Sequence, residues 1–179
     1  MKKTVLIFGL ISGAISSVLM VATVPFIYQI GFENGTIVGY TWMVLSFLMV
    51  FFGIRSYREN VGGGYISFGR AFTVGILIAL ISSLMYVATW QVVFQNWMYD
   101  FPERYTNYMV EKARASGVAP EEVARQRDEW NNMWALYKSS LLVRIAFSFI
   151  EPFPVGLLVT LISAGVLRKR KKEEPAMVS

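Results

Sequence analysis

Residues 4–30, 34–54 and 71–99 contain no charged side chain, and residues 145–167 contain only Glu151. A helix rises about 1.5 Å per residue and the hydrocarbon of a bilayer is about 30 Å thick, so each stretch is long enough to cross it. In that medium no water is at hand to satisfy backbone groups, and a helix satisfies its own. A hydrophobic content of 55% would also suit a soluble core, but apolar residues bunched in this way do not. The expectation is an all-α integral membrane protein, a single domain over residues 1–179, with transmembrane helices at 4–30, 36–54, 70–95 and 145–167. Lys2 and Lys3 before the first block resemble the start of a signal peptide, but an apolar run of this length predicts an uncleaved span.

With four spans, both ends and the connector at 55–69 share one side of the membrane. Lys2, Lys3, Arg55, Arg58, Arg70, Arg168, Lys169, Arg170, Lys171 and Lys172 all fall there. The opposite side has Glu33 in a short loop and a segment at 96–140 in which basic residues are mixed with seven acids. The positive-inside rule therefore predicts cytoplasmic termini, which also accounts for the net charge of +5. The tail at 168–179 closes the chain, its basic cluster is suited to acidic headgroups, and residues 173–179 are expected to be disordered. Nothing in this charge pattern calls for nucleic acid.

The chain has no cysteine and no histidine. That removes disulfides, thiol nucleophiles, the commonest general base and the commonest transition-metal ligand. No metal, cofactor or catalytic residue is predicted, and the protein is expected not to be an enzyme.

Small residues recur at helical spacing in three spans: Gly9, Gly13 and Ser17; Ala71, Gly75, Ala79 and Ser83; Gly156, Thr160 and Ala164. Such stripes let helix backbones approach closely in lipid. Packing within the chain is the expected use, with a dimer interface on the first helix as the alternative. Residues 15–23 also align without gaps on residues 81–89. That alignment raises a duplication of one helical hairpin about an axis along the membrane normal, with chance similarity as its competitor.

The segment at 96–140 is too long for a plain link. Aromatic residues at helical spacing predict two amphipathic helices, at about 100–115 and 120–140, forming an exterior hairpin. Trp130, Trp134 and Tyr137 on the second are candidates for docking a partner, and packing is the plainer use of such a stripe.

Glu151, in Glu151-Pro152-Phe153-Pro154, is the acid within a span and so a functional candidate. Its place near the outer edge of the hydrocarbon also suits an acid beside the positive start of a helix beginning at Pro152. Arg144 would lie near it on a continuous helix. Arg55, Arg58 and Arg70 mark the connector as a contact for acidic lipid or a partner. Gly62-Gly63-Gly64 makes a turn there and lacks the ending of a phosphate-binding loop, and Ser67 is placed to cap the third span.

Phe52-Gly53-Ile54-Arg55-Ser56-Tyr57-Arg58, then Gly63-Gly64-Tyr65-Ile66-Ser67-Phe68-Gly69 and Ala71-Phe72-Thr73-Val74-Gly75, resemble a family of bacterial four-span proteins known as domain of unknown function 4199. The resemblance implies a protein of the bacterial inner membrane, brings no catalytic residues with it, and covers nearly the whole chain. Two functions are weighed. One is a non-catalytic scaffold or accessory subunit that binds a protein partner through the exterior helices or the basic connector. The other is a small oligomeric transporter or channel using Glu151 and Arg144.

Overall fold

The structure, a computed structural model, describes residues 1–169. The helices are α1 (Lys2–Thr23), α2 (Ile27–Ile30), α3 (Phe32–Asn60), α4 (Phe68–Asn96), α5 (Phe101–Ala115), α6 (Pro120–Ser139), α7 (Leu141–Ile150) and α8 (Pro152–Leu167), with a short 3-10 turn at Val24–Phe26. Four segments, Lys2–Ile30, Phe32–Asn60, Phe68–Asn96 and Leu141–Leu167, are long and apolar enough to cross a membrane. Their flanks display large apolar side chains such as Leu142, 79% exposed, and Val166, 68% exposed. Water penalises such a surface and hydrocarbon does not. The chain is a multi-pass membrane protein.

The first span bends where Pro25 enters the 3-10 turn, because proline has no amide to continue the helix. Gly31, at φ +82°, then reverses the chain into α3. At 29 residues α3 is about 44 Å long, more than the hydrocarbon needs, so Arg55 and Arg58 lie on its last turns rather than in a connector. The connector shrinks to residues 61–67. Gly63 and Gly64 are both left-handed, and the Gly62 and Gly64 amides donate to the Tyr57 and Arg58 carbonyls. Ser67 caps α4 as expected, its hydroxyl accepting from the Arg70 amide at 3.3 Å. Ile66 pairs with Lys169 through two backbone hydrogen bonds of 2.9 Å, tying the connector to the end of α8. Arg170, Lys171 and Lys172, expected to meet acidic headgroups, and residues 173–179, expected to be disordered, lie outside the described residues.

In the bundle α1 packs on α3 and α4, α8 packs on the same two, and α3 touches α4 across the middle. The small stripes make these contacts. A Cβ added at Gly9 would lie 2.9 Å from Ile81 Cβ, and one at Gly13 would enter Met85. Gly156 meets Ala79 and Phe47 in the same way, and Gly75 meets Thr160 and Ile54. The first stripe is thus used within the chain. Between these seams lie Phe47, Val50, Ile54, Val74 and Ile78, all at most 2% exposed. Ser12 Oγ lies 2.8 Å from the Ser46 carbonyl and 2.9 Å from Ser82 Oγ, a buried polar link among three helices.

The arrangement does not have the symmetry that a duplication about the bundle axis would give. A two-fold there exchanges opposite corners, whereas α1 and α4, which carry the similar segments, are neighbours. The contact joins residues 72 apart, Ser17 with Thr89 at 2.8 Å, not the aligned pairs.

Helices α5 and α6 form a hairpin over the end of the bundle opposite the termini. Phe32 lies against the rings of Phe101, Tyr105 and Tyr108, with centroids 5.0 to 5.7 Å apart. Lys112 pairs with Glu33, and Asp100 accepts from the Tyr28 hydroxyl at 3.0 Å.

Candidate functional site

Beneath the hairpin lies a partly open cavity of about 430 Å³. Ser16, Met20 and Thr23 of α1, Gly39, Trp42 and Met43 of α3, and Tyr86 and Trp90 of α4 form its walls. Phe101 and Tyr105 of α5 and Trp130, Met133, Trp134 and Tyr137 of α6 form its roof. The aromatic stripes read from the sequence therefore face inward. Tyr137 is only 6% exposed, and Trp130 and Trp134 are half-buried, packed edge-on against Tyr105. The face that carries Trp130, Trp134 and Tyr137, weighed above for docking and for packing, is thus packed. Two amphipathic helices can bury their apolar faces against a membrane, each other or a bundle end, and their spacing is the same in each case.

A polar cluster holds the roof down. Trp90 Nε1 donates to the Tyr137 hydroxyl at 2.7 Å, and that hydroxyl is 3.1 Å from Ser148 Oγ. Ser148 donates to the Arg144 carbonyl at 2.8 Å, and Arg144 Nε donates to Gln91 Oε1 at 2.6 Å. α4, α6 and α7 are joined by these bonds. Sequence reasoning missed Gln91, Tyr86, Trp42 and Trp90, although a glutamine within an apolar span is itself a signal, since its amide needs a partner in lipid.

Arg144 is thus engaged with Gln91 and stacks its guanidinium 5.5 Å from the Phe94 ring. It does not pair with Glu151, the neighbour it would have on a continuous helix. The helix is interrupted at Glu151 and restarts at Pro152, and both side chains turn to α4, Arg144 to Gln91 and Glu151 to Tyr86. The Glu151 carboxylate does not cap α8. It accepts from the Tyr86 hydroxyl at 3.1 Å and lines the cavity. No lysine or arginine among the described residues lines that cavity.

The break also shapes an opening. α8 packs against α3 and α4, whereas α7 packs against α4 and α6. Toward the capped end the fourth span thus leans off α3. Thr36 on one side of the gap and Phe147 and Glu151 on the other line the cavity while exposed at the flank of the bundle. Trp134 Nε1, in the roof, is buried without a protein partner.

The basic end is built differently. Arg58 donates to Glu59 at 2.6 Å and to the Leu167 carbonyl at 3.2 Å, so one of the three connector arginines caps the last turn of α8. Arg55 and Arg70 are exposed. Among the described residues no group of three or more acidic side chains is gathered to hold a metal.

The family described as Protein of unknown function (DUF4199) matches residues 7–169. The chain belongs to the DUF4199 family. Comparison with curated proteins and with solved structures gives no match. In this DUF4199 member the motif residues sit where three helices converge. A Cβ at Gly53 would enter the Ile78 side chain, and Gly75 lies against α3 and α8. Gly63 and Gly64 make the turn, and Ser67 caps the helix that follows. What the motif encodes at these positions is packing and chain reversal.

Proposed function

We propose that this protein is a non-catalytic binding module of the bacterial inner membrane, with both termini in the cytoplasm, and that its cavity holds a guest drawn from the membrane. The observation that carries the reading is the cavity of about 430 Å³ with aromatic walls, a roof made by a dedicated hairpin and a lateral gap beside α7. A folded chain gains by filling space, and a void of this size beside half-buried tryptophans forgoes dispersion contacts unless something occupies it. The lysine and arginine distribution supports the orientation. The non-catalytic part rests on Glu151, whose side-chain partner is a tyrosine hydroxyl rather than a nucleophile or a second acid.

Accessory-subunit binding is a second reading, now resting on the basic end. Arg55 and Arg70 are exposed there beside a turn fixed by the Ile66–Lys169 pairing, an outward surface suited to acidic headgroups or an acidic partner. The transporter reading loses the Arg144–Glu151 pair but keeps the acid in the cavity.

Gly39 provides the test. It lines the cavity, and a Cβ there meets no atom within 4 Å, so a larger side chain starts from open space and Gly39→Phe is expected to occupy the cavity. Protein purified gently from native membranes should carry a small apolar molecule, detected by mass spectrometry, that Gly39→Phe lacks at unchanged thermal stability. Equal content in both proteins would remove the cavity as the site, and a stoichiometric second protein would favour the accessory reading.

A further inference from the structure

From the chemistry of the cavity wall we infer that the guest is a lipophilic organic cation, its charged centre held at Glu151 and its apolar body among the aromatic rings. This deepens the binding-module reading and rests on it. Three observations converge. The cavity wall contains one carboxylate, Glu151, and no lysine or arginine among the described residues, so its charge is unmatched by the protein. The one nearby group bonded to that carboxylate is the Tyr86 hydroxyl at 3.1 Å, a neutral donor that orients an oxygen without neutralising it. Trp42, Trp90, Trp130 and Trp134 line the same cavity, and aromatic rings attract cations.

Size and access fit the same class. A metal ion or a small ammonium would leave most of a 430 Å³ apolar cavity empty, whereas a cation with a bulky hydrocarbon body fills it. Such molecules partition into bilayers and would arrive through the gap beside α7, where Glu151 is exposed. A lipophilic anion has the opposite balance, because the wall offers it a like charge and no cationic partner.

The experiment uses the full chain in lipid nanodiscs, with tetraphenylphosphonium and tetraphenylborate as probes of like shape and opposite charge, and empty nanodiscs as the partition control. Binding is read by radiolabel and by tryptophan emission, since four of the five tryptophans line the cavity. The cation should bind saturably, one per chain. Glu151→Gln, which keeps an oxygen for Tyr86, should weaken it at least tenfold, and Gly39→Phe should abolish it. Equal binding of both probes, blocked by Gly39→Phe but indifferent to Glu151→Gln, would overturn the cation inference and leave the cavity reading standing. Cation binding unaffected by Gly39→Phe would place the probe elsewhere and overturn it together with the use of this cavity. Absence of saturable binding to the unaltered protein would also overturn the inference, while the copurified molecule would still decide whether the cavity is used.

Discussion

Glycines in this bundle divide by what surrounds them. At Gly9 the space for a Cβ is already taken by the branched side chain of Ile81, which cannot swing clear, whereas at Gly165 nothing lies within 4 Å. Gly9→Val is therefore expected to destabilise the purified protein by about 1–3 kcal/mol through overpacking. Gly165→Ala should be neutral or slightly stabilising, since alanine is the better helix former. Thermal unfolding in detergent checks both, and equal effects would mean that the α1–α4 seam is not as close as described. Ser12 is a milder case. Hydrogen bonds between membrane helices average about 0.6 kcal/mol, so the Ser12 link serves register more than stability.

At the scale of elements, the hairpin of α5 and α6 is the part that responds to pH. The Asp100 carboxyl is held below its ordinary value of 3.8, first by the Arg104 guanidinium that donates to it at 2.5 Å; desolvation opposes this, and the Tyr28 hydroxyl adds a smaller lowering. A depressed folded value means that the stabilisation is present in full above the unfolded value and is lost as pH falls through the folded one. The protection of the α5 amides, their exchange corrected for its intrinsic pH dependence, should therefore fall as the pH is lowered below about 4, and Asp100→Asn should show a smaller acid step. An identical acid response in the two proteins would remove Asp100 from the account. On the same hairpin, the Lys112 ammonium is raised by its hydrogen bond to Glu33, so that contact persists through neutral pH and loosens in strong base, when Lys112 loses its proton, or in strong acid, when Glu33 gains one.

For the whole molecule, the decisive fact is that α1 lies beside α4 rather than across from it. The chain has no cysteine, so a Ser17→Cys, Thr89→Cys double variant is free of competing thiols. The parent hydroxyls are 2.8 Å apart, and mild oxidation in membranes should link the two cysteines within one chain, seen as a shift in mobility on a non-reducing gel that reductant reverses. Crosslinking between separate chains instead would restore the dimer interface as the use of this stripe.

Much of this was written in the order of residues. Uncharged runs longer than a bilayer is thick leave the backbone no alternative to helices, so four spans follow from the sequence. Small-residue stripes are equally local, as are the serine cap at Ser67, the reversal at Gly63 and Gly64, and the restart of a helix at Pro152. Partners are not local. Trp130, Trp134 and Tyr137 carry the same periodicity whether they face lipid, a partner or the bundle, and only the seating of α6 over Trp90 turns them inward. Arg144 and Glu151 are close in sequence, yet each is engaged by a different residue of α4, one by Gln91 and the other by Tyr86. The sequence by itself determined the four spans and the end of the bundle that carries the basic charge, while the end of α3 lies beyond the uncharged run. The tertiary structure decided the cavity, because a cavity is made of faces contributed by segments far apart in the chain, and helical periodicity says which face is apolar without saying what it will meet.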